Sequence, residues 1–406
     1  MRRADASRPL QSDRHGGADH PAVRARDLPD HAAGPPGQVQ GHGRAARGGR
    51  AVKFGLVGFP GSGKTSLFRA LGGQREKVPH GPGDERPLLS VEVPDRRLEW
   101  LRGLHQPKKY TPARVEFCDL PGIPDKSVKG KAELLAAVRD CDALALVLRE
   151  FGADPYAMGP PNAARDLDNL RVEFLLGDLA VVEGRMERLR AGAKKNRPAK
   201  EKAEDEKEMA VLEKLVPFLE SQEGLTGVHL SAEEEKRIAS FQFLSRKPYV
   251  VVRNVGEGDL GGERRPLRSD GGPEIVLAAT VEEEVAGLPA AERAEFLSAY
   301  GISEPARDQL VHAAYRACKV HSFFTAGPDE VRAWTIPIGA SAVEAAGKIH
   351  SDLARGFIRA EVVPWDALHA AGDMKHLKLS GSHHTRLEGR DYVVRDGDIL
   401  EIRFSV

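Results

Sequence analysis

Residues 52–71 of the chain read VKFGLVGFPGSGKTSLFRAL, and this stretch decides the fold. It begins with a short apolar run that favours a β-strand, continues through a glycine-rich loop, and enters a helical pattern near Lys64. The loop GFPGSGKT, residues 58–65, matches the Walker A pattern G-x-x-x-x-G-K-[ST] in the strand–loop–helix context that this pattern requires. Glycines let successive backbone N–H groups converge on phosphate oxygens, and the helix N-terminus adds partial positive charge. The sequence therefore predicts a P-loop that binds ATP or GTP.

The side chains of this loop have separate predicted roles. We expect the Lys64 ammonium to reach the β- and γ-phosphates, and the Thr65 hydroxyl to bind Mg²⁺. The predicted phosphate-binding residues are Gly58, Phe59, Pro60, Gly61, Ser62, Gly63, Lys64, Thr65 and Ser66.

A second motif, Asp119-Leu120-Pro121-Gly122, follows the apolar run VEFC. An Asp at the carboxyl end of a parallel strand beside a P-loop is the Walker B position, which holds Mg²⁺ directly or through water. Gly122 supplies a backbone N–H that can sense the γ-phosphate. Pro-Gly pairs also form ordinary turns, but the upstream P-loop favours the DxxG interpretation. We therefore predict that Thr65 and Asp119 are metal ligands and that Lys64 and Gly122 are catalytic.

A third motif is expected to contact the base. The apolar run YVVVR leads into Asn254-Val255-Gly256-Glu257, where GTPases have Asn-Lys-x-Asp, whose Asp pairs with two hydrogens of guanine. Val255 replaces the Lys and the longer Glu257 replaces the Asp, which weakens guanine recognition. The N6 amino group of adenine needs an acceptor instead, which a backbone carbonyl or Asn254 would provide. We predict that Asn254, Val255 and Glu257 bind the nucleotide; the alternative is a plain loop after a strand.

Hydrophobic patterning predicts an α/β fold. Continuous apolar runs separated by helical segments imply a parallel sheet that is buried on both faces. These predicted strands cover residues 52–57, 115–118, 142–148, 249–253 and 275–278. The tail predicts a small mixed sheet with one helix at 341–355. Its predicted strands cover residues 322–325, 331–336, 357–363, 391–394 and 399–404.

Between residues 165 and 246 the apolar spacing changes. Leu175, Val182 and Leu189 are spaced by heptads, and apolar spacing resumes after a charged stretch at 194–207. This pattern predicts an antiparallel helical hairpin with a coiled-coil seam and a charged tip. Such a hairpin either packs only on itself or serves as an interaction arm. The basic residues near the tip are Arg188, Arg190, Lys194, Lys195, Arg197, Lys200 and Lys202.

Composition limits the function classes. Lys+Arg and Asp+Glu both total 60, so the net charge of zero argues neither for nor against nucleic acid as a partner. No apolar run approaches the roughly 20 residues that a membrane span needs. The three cysteines are far apart and fit core thiols in a reducing cytoplasm.

The N-terminal segment, residues 1–51, does not have the composition of a folded domain. Its first 50 residues contain no Lys, Ile or Phe and show no apolar period. We expect the segment to be disordered, or to be upstream sequence translated from a misplaced start, with Val52 opening the folded chain. A basic arm that contacts RNA is the alternative.

With these residues in place, the chain resembles the YchF family, the Obg-like ATPases, from about residue 53 to 406. The resemblance rests on VEVPDRRLEWL (91–101), VRDCDALALVLREF (138–151), FFTAGPDEVRAWTIPIGASAVEAAGKIHSDLARGFIRAEVV (323–363) and EGRDYVVRDGDILEIRFSV (388–406). It implies a GTPase-type core, a helical coiled-coil insertion and a C-terminal TGS domain with a β-grasp fold. It also implies hydrolysis of ATP in preference to GTP, with Asn-x-x-Glu as the altered base motif. Members of the family associate with ribosomes.

Some positions depart from the family pattern. Gly61-Ser62 replaces Asn-Val in the P-loop, and the switch segment with a Thr-Ile-x-Pro-Asn core is not visible between residues 78 and 92. The glycine-rich loop after DxxG is shortened to residues 124–131. Leu146 stands where the family often has a His that is used in hydrolysis. Nucleotide binding is therefore better supported than turnover.

The predicted domains are a P-loop domain (52–164 and 247–320), a helical insertion (165–246) and a TGS domain (321–406). The predicted function is that of a cytoplasmic, monomeric Obg-like NTPase that binds ATP or GTP with Mg²⁺, hydrolyses ATP slowly, and acts as a nucleotide switch on ribosomes or RNA. The helical arm and the TGS domain are the expected contacts. The alternatives are a nucleotide-dependent binding module with little hydrolysis and a guanine-specific translational GTPase.

Overall fold

The computed structural model describes residues 51–72, 87–123, 128–152, 160–221, 224–268, 272–379 and 385–405. The predicted disorder of residues 1–51 lies almost wholly outside these ranges. So do most of the altered switch segment and residues 124–127 of the shortened loop.

The first sheet has six strands in the order β2-β4-β1-β5-β6-β7. All neighbours are parallel except the edge strand β2, which is antiparallel to β4. The five strands predicted from apolar runs are present, whereas β2 was not predicted because it is a short edge strand whose buried and exposed residues alternate. The strands are β1 (Val52–Val57), β2 (Leu88–Glu92), β4 (Arg114–Asp119), β5 (Ala143–Glu150), β6 (Tyr249–Val255) and β7 (Glu274–Leu277).

Helices cover both faces of this sheet, as continuous apolar strands require. Alternate strand residues face opposite ways: Phe54 and Leu56 lie in one core cluster, and Val57 lies in the other. Within the part of the chain that is described, no helix combines the length and apolar character needed to cross a membrane. The helices of this domain are α1 (Lys64–Gly72), α2 (Arg96–His105), α3 (Val128–Arg139), α7 (Ala279–Gly287), α8 (Ala290–Ala299) and α9 (Ala306–Ala317).

The helical hairpin consists of α4 (Ala163–Ala193) and α5 (Ala199–Glu220), followed by the short α6 (Ala232–Ile238). The predicted seam residues lie in one core cluster with Leu212, Leu215 and Leu219. The predicted charged tip at 194–207 is too long, because α5 begins directly after Pro198. A Pro before the first helical turn is favourable, and Arg197 pairs with Glu201 and Asp205 on that helix. The connection is therefore only residues 194–198.

The C-terminal sheet has the order β11-β10-β12-β8-β9-β3. One predicted strand, 391–394, is wrong: Val393 makes only an isolated bridge to Ser341, and the backbone of Tyr392 binds the start of α10. The predicted helix at 341–355 breaks at His350, which has extended backbone angles. The elements are β8 (Val320–Ala326), β9 (Glu330–Pro337), α10 (Ala342–Ile349), α11 (Ser351–Arg355), β10 (Phe357–Pro364), α12 (Trp365–Ala371), α13 (Met374–Leu379), β11 (Arg386–Glu388) and β12 (Asp398–Phe404).

One strand of that sheet comes from the P-loop domain. β3 (Lys109–Thr111) pairs in parallel with β9 and forms the edge of the C-terminal sheet. Nearby, the Arg97 guanidinium of α2 donates to both Asp95 and Asp396. The Trp365 indole donates to the Arg97 carbonyl at 3.2 Å. The segment that follows β2 thus joins the two sheets through both backbone and side chains.

Asp178 on α4 joins the hairpin to the P-loop domain. Its fully buried carboxylate accepts from Arg139 Nη1 of α3 at 2.7 Å. It also accepts from the backbone N–H groups of Leu244 and Ser245, at 3.0 and 2.8 Å, and from the Ser245 hydroxyl. A buried charge with four donors is well satisfied, and removing it leaves those donors unpaired.

We expect Asp178→Ala to lower the free energy of unfolding by about 3–5 kcal/mol, because it leaves a largely buried guanidinium and two backbone N–H groups without their carboxylate. Urea unfolding followed by circular dichroism measures the change. Asp168→Ala, at an exposed position on the same helix, is the matched control and should change stability by no more than about 0.5 kcal/mol. Equal stability of the two variants would contradict the structural role of Asp178.

Candidate nucleotide-binding site

The P-loop connects the end of β1 to the start of α1 at the carboxyl edge of the parallel sheet. Two of its glycines are required by close approach. A Cβ atom on Gly63, which has a φ of 88°, would lie 2.1 Å from Asn254 Nδ2. A Cβ atom on Gly58 would lie 2.4 Å from the Val147 carbonyl oxygen. The loop is therefore held against β5 and β6, with its backbone free to face a ligand.

Lys64 is 7% exposed at the start of α1. Its Nζ atom donates to the carbonyl oxygens of Gly58 and Phe59, at 3.1 and 3.0 Å. Burial lowers the pKa of Lys64 to about 8, and the nearby Asp119 carboxylate opposes that shift. The ammonium is thus folded back over the loop, where phosphate oxygens would relieve its desolvation.

Asp119 and Thr65 meet beside the P-loop. The Thr65 hydroxyl donates to Asp119 Oδ2 at 3.1 Å. The other oxygen, Oδ1, is buried and has no hydrogen-bond partner among the described residues. Burial raises the pKa of Asp119, whereas the bond from Thr65 and the charge of Lys64 lower it. A hydroxyl and a carboxylate oxygen side by side fit the all-oxygen coordination that Mg²⁺ prefers.

The segment after Asp119 packs directly on the P-loop. A Cβ atom on Gly122 would lie 2.8 Å from the Pro60 backbone nitrogen, so only glycine fits. The next backbone N–H, that of Ile123, donates to the Gly58 carbonyl at 3.3 Å. The DxxG segment and the P-loop therefore form one surface.

Asn254, near the end of β6, links the P-loop to the start of α7. Its Nδ2 donates to the Ser62 carbonyl at 3.0 Å, and its Oδ1 accepts from the backbone N–H of Ala279 at 2.9 Å. The side chain is 3% exposed, so the expected role as an acceptor for adenine is already filled by a backbone contact. Val255 is also buried, in a core cluster with Val281 and Val285, rather than at the surface of the loop. Both side chains are therefore buried beneath the candidate site and support it from the protein interior.

Glu257 is exposed and begins a short 3₁₀ turn, Glu257–Asp259. The Tyr300 hydroxyl donates to its Oε1 at 2.6 Å. Phe151, just after β5, lies within 4.0 Å of idealised Cβ positions on both Gly63 and Gly256. Sequence reasoning missed Tyr300 and Phe151 as site residues. The only local signal is that Phe151 is an aromatic residue directly after the last residue of β5.

The remaining predicted residues are distributed around the loop. Gly61 is exposed, and Phe59 and Ser66 are partly buried. The Ser62 hydroxyl is buried and has no partner among the described residues. Leu146, at the position of the family His, is fully buried in the core of β5 beside Val57. No atom of that side chain is accessible to a nucleotide.

Known proteins resemble the chain over most of its length. A family model described as a 50S ribosome-binding GTPase matches residues 53–175, and the model YchF-GTPase_C, described as a protein of unknown function (DUF933), matches residues 320–405. The ribosome-binding ATPase YchF of Bacillus subtilis (strain 168) is 37% identical over 374 residues, covering 88% of this chain and 100% of that protein. The protein of the same name from Escherichia coli O157:H7 is 35% identical, with coverage of 87% and 99%. The structure of the Schizosaccharomyces pombe YchF GTPase is similar with a TM-score of 0.74 at 27% identity, covering 88% of this chain and 99% of that one.

We expect Lys64→Ala to weaken nucleotide binding at least about tenfold, because hydrogen bonds to charged groups contribute roughly 1.5–3 kcal/mol. Titration calorimetry with a non-hydrolysable ATP analogue measures the loss, and Lys214→Ala on the hairpin is the control.

Phosphate binding should raise the pKa of Lys64 above about 8. Affinity of the wild type should therefore fall as pH rises above that value, and Lys64→Ala should lose this pH dependence. Unchanged affinity in the variant would contradict the P-loop assignment.

Proposed function

The chain belongs to the YchF family, and we propose that it is a P-loop NTPase that binds ATP with Mg²⁺, hydrolyses it slowly, and acts as a nucleotide switch on the ribosome. The observation that carries the proposal is the contact between Thr65 and Asp119 beside the buried Lys64. One uncompensated carboxylate oxygen and one desolvated ammonium lie within a loop of converging backbone N–H groups. This combination suits a ligand that carries both phosphate and a divalent cation.

In the proposed mechanism the chain acts mainly by positioning and electrostatics, as is usual for phosphoryl transfer. Lys64 and the N–H groups of residues 58–65 would offset negative charge on the transferring phosphoryl group. The Gly122 N–H would contact the γ-phosphate, because Gly122 lies against Pro60. Thr65 and Asp119 would hold Mg²⁺, which when bound supplies positive charge to the phosphate oxygens. Release of phosphate would remove this contact with Gly122.

The residues of the proposed base site favour ATP over GTP as the bound nucleotide. Guanine recognition needs a carboxylate that accepts two hydrogens and a Lys stem that covers the base. The buried Val255 has no such stem, and one oxygen of Glu257 already accepts from Tyr300. A site whose polar groups do not match the guanine edge discriminates weakly between bases.

A second candidate is a nucleotide-dependent binding module with little turnover. The residue at position 146 favours this candidate. The family often has a His there that is used in hydrolysis, whereas Leu146 is apolar and fully buried. A steady-state assay of phosphate release separates the two candidates. Release that does not exceed that of Lys64→Ala supports the binding module, and clear release above that control supports the NTPase.

The ribosome is proposed as the partner because the matched relatives are named ribosome-binding ATPases. The hairpin tip fits a contact with RNA. Lys194, Lys195 and Lys200 are exposed, and no ion pair with them is seen in the described parts of the chain. Arg197 differs, because it is paired with Glu201 and Asp205. These three lysines are therefore among the tip charges that remain free to contact phosphate.

For base choice, we expect ATP to bind as tightly as GTP or tighter, with a preference of about 1–2 kcal/mol at most. Glu257→Asp should shift the preference toward GTP, because the shorter carboxylate approaches the usual guanine geometry. Competition calorimetry with both nucleotides measures the ratio, and Asp259→Asn, two residues away, is the control. Wild-type binding of GTP more than about tenfold tighter than ATP would show the interpretation of residues 254–257 to be wrong.

For the tip, we expect the combined Lys194→Glu, Lys195→Glu and Lys200→Glu variant to bind purified ribosomes about tenfold or more weakly, with a smaller dependence on salt. Co-sedimentation at several salt concentrations measures both. Arginine at the same three positions keeps the charge and is the matched control. ATP binding should be unchanged in both variants. Co-sedimentation that is indifferent to the substitutions and to salt would exclude the tip as the contact.

A further inference from the structure

Tyr300 is held rigidly beside the proposed base site. It follows the last residue of α8, and its backbone N–H donates to the Phe296 carbonyl. The Tyr300 ring stacks on the Phe296 ring, with centroids 4.9 Å apart and an angle of 30° between the planes. The same ring packs against the core cluster that contains Val255, Val281 and Val285. Tyr300 therefore has a fixed position relative to the strand end from which the base loop leaves.

The hydroxyl of this ring reaches the base loop itself. It donates to Glu257 Oε1 at 2.6 Å, within the range of a charge-assisted O–H···O⁻ bond. That hydrogen bond is the largest cause of a raised pKa of the Tyr300 hydroxyl, followed by burial and the charge of Glu257. The two residues are 43 positions apart in the sequence, so only the fold brings them together.

We propose that Tyr300 is a positioning residue for base choice: by holding the Glu257 carboxylate, it keeps the site from accepting guanine. The proposal rests on the proposed function, since it assumes that the base lies at the loop of residues 254–257. Tyr300 acts through Glu257.

The physical reason lies in the geometry of guanine recognition. The two N–H groups of the guanine edge need both oxygens of one carboxylate in the plane of the base, as in other bidentate pairs. In this chain one carboxylate oxygen accepts a 2.6 Å bond from Tyr300, whose ring packs on Phe296 and on the adjoining core cluster. That oxygen keeps a second lone pair, so the bond acts by orienting the carboxylate and not by using up its acceptors. Turning the carboxylate into the plane of a guanine edge would lengthen or bend the bond from Tyr300, so guanine binding carries a penalty that adenine binding does not. Among the described residues, no other side-chain hydrogen bond or ion pair restrains the Glu257 carboxylate.

The test is Tyr300→Phe, which removes the hydroxyl and keeps the ring that packs on Phe296. We expect the ratio of GTP affinity to ATP affinity to rise about threefold to tenfold, mostly through tighter GTP binding. Competition calorimetry on the full chain measures both affinities. Tyr315→Phe is the matched control, because its hydroxyl makes a bond of the same length, 2.6 Å, to Thr335 outside the site.

A second pair of variants separates this role from a structural one. In a Glu257→Gln background, Tyr300→Phe should leave the GTP-to-ATP ratio unchanged, because the charged acceptor is gone. A structural role for the hydroxyl would instead lower the melting temperature and weaken both nucleotides equally. The proposal is overturned if Tyr300→Phe leaves the ratio unchanged, or if it changes the ratio equally in the Glu257→Gln background. Failure of the proposed function has a different signature, namely a wild type that prefers GTP strongly or binds neither nucleotide.

Discussion

The Asn254 carboxamide, near the end of β6, joins two segments that are far apart in the sequence. Its nitrogen donates to the Ser62 carbonyl of the P-loop, and its oxygen accepts from the backbone N–H of Ala279, the first residue of α7. Gly63 has no side chain because this amide occupies the space that a Cβ atom would need. A buried amide is stable only when both its donor and its acceptor are satisfied, so the P-loop and the start of α7 take positions that satisfy it. The P-loop is thereby anchored to the end of β6, from which the turn at Glu257–Asp259 follows.

From this fixed centre, two separate connections lead outward. The first runs from β2 into α2 and β3, where Arg97 pairs with Asp396 and β3 completes the C-terminal sheet. The second is the ion pair between Arg139 of α3 and the buried Asp178 of the hairpin. Each connection therefore joins the P-loop domain to a different part of the chain through an ion pair and further hydrogen bonds.

The P-loop domain was predictable because its signals are local. A Walker A loop after a strand, an Asp at a strand end and continuous apolar runs need only short windows of sequence, and the predicted α/β fold class with a helical insertion and a C-terminal β-grasp domain is confirmed. Elements that depend on distant partners were not predictable. β3 has three residues and exists because β9 accepts it, whereas residues 391–394 look like a strand but bind the start of α10. Tyr300 carries no local pattern that would connect it to Glu257.

Motifs also locate residues better than they assign roles. Asn254 and Val255 stand at the predicted place in the chain, yet one is a structural link and the other is core. The orientation of a side chain at a strand end depends on which face the neighbouring helices cover, and α7 covers the face of Val255. Only Glu257, beyond the last strand residue, extends into solvent. The packing around these residues therefore gives more information about their roles than their positions in the motif do.

Electrostatics at the phosphate end explain how binding can persist without the family His. Burial lowers the pKa of Lys64 and raises that of Asp119, so each charged form is disfavoured by the loss of water. A ligand that brings phosphate to Lys64 and a cation to Asp119 compensates both at once, and neither interaction involves β5. Leu146 lies in the interior of β5, where an apolar side chain packs against Val57 at no cost in polar contacts. The contacts of Lys64 and Asp119 in the P-loop therefore do not depend on the residue at position 146.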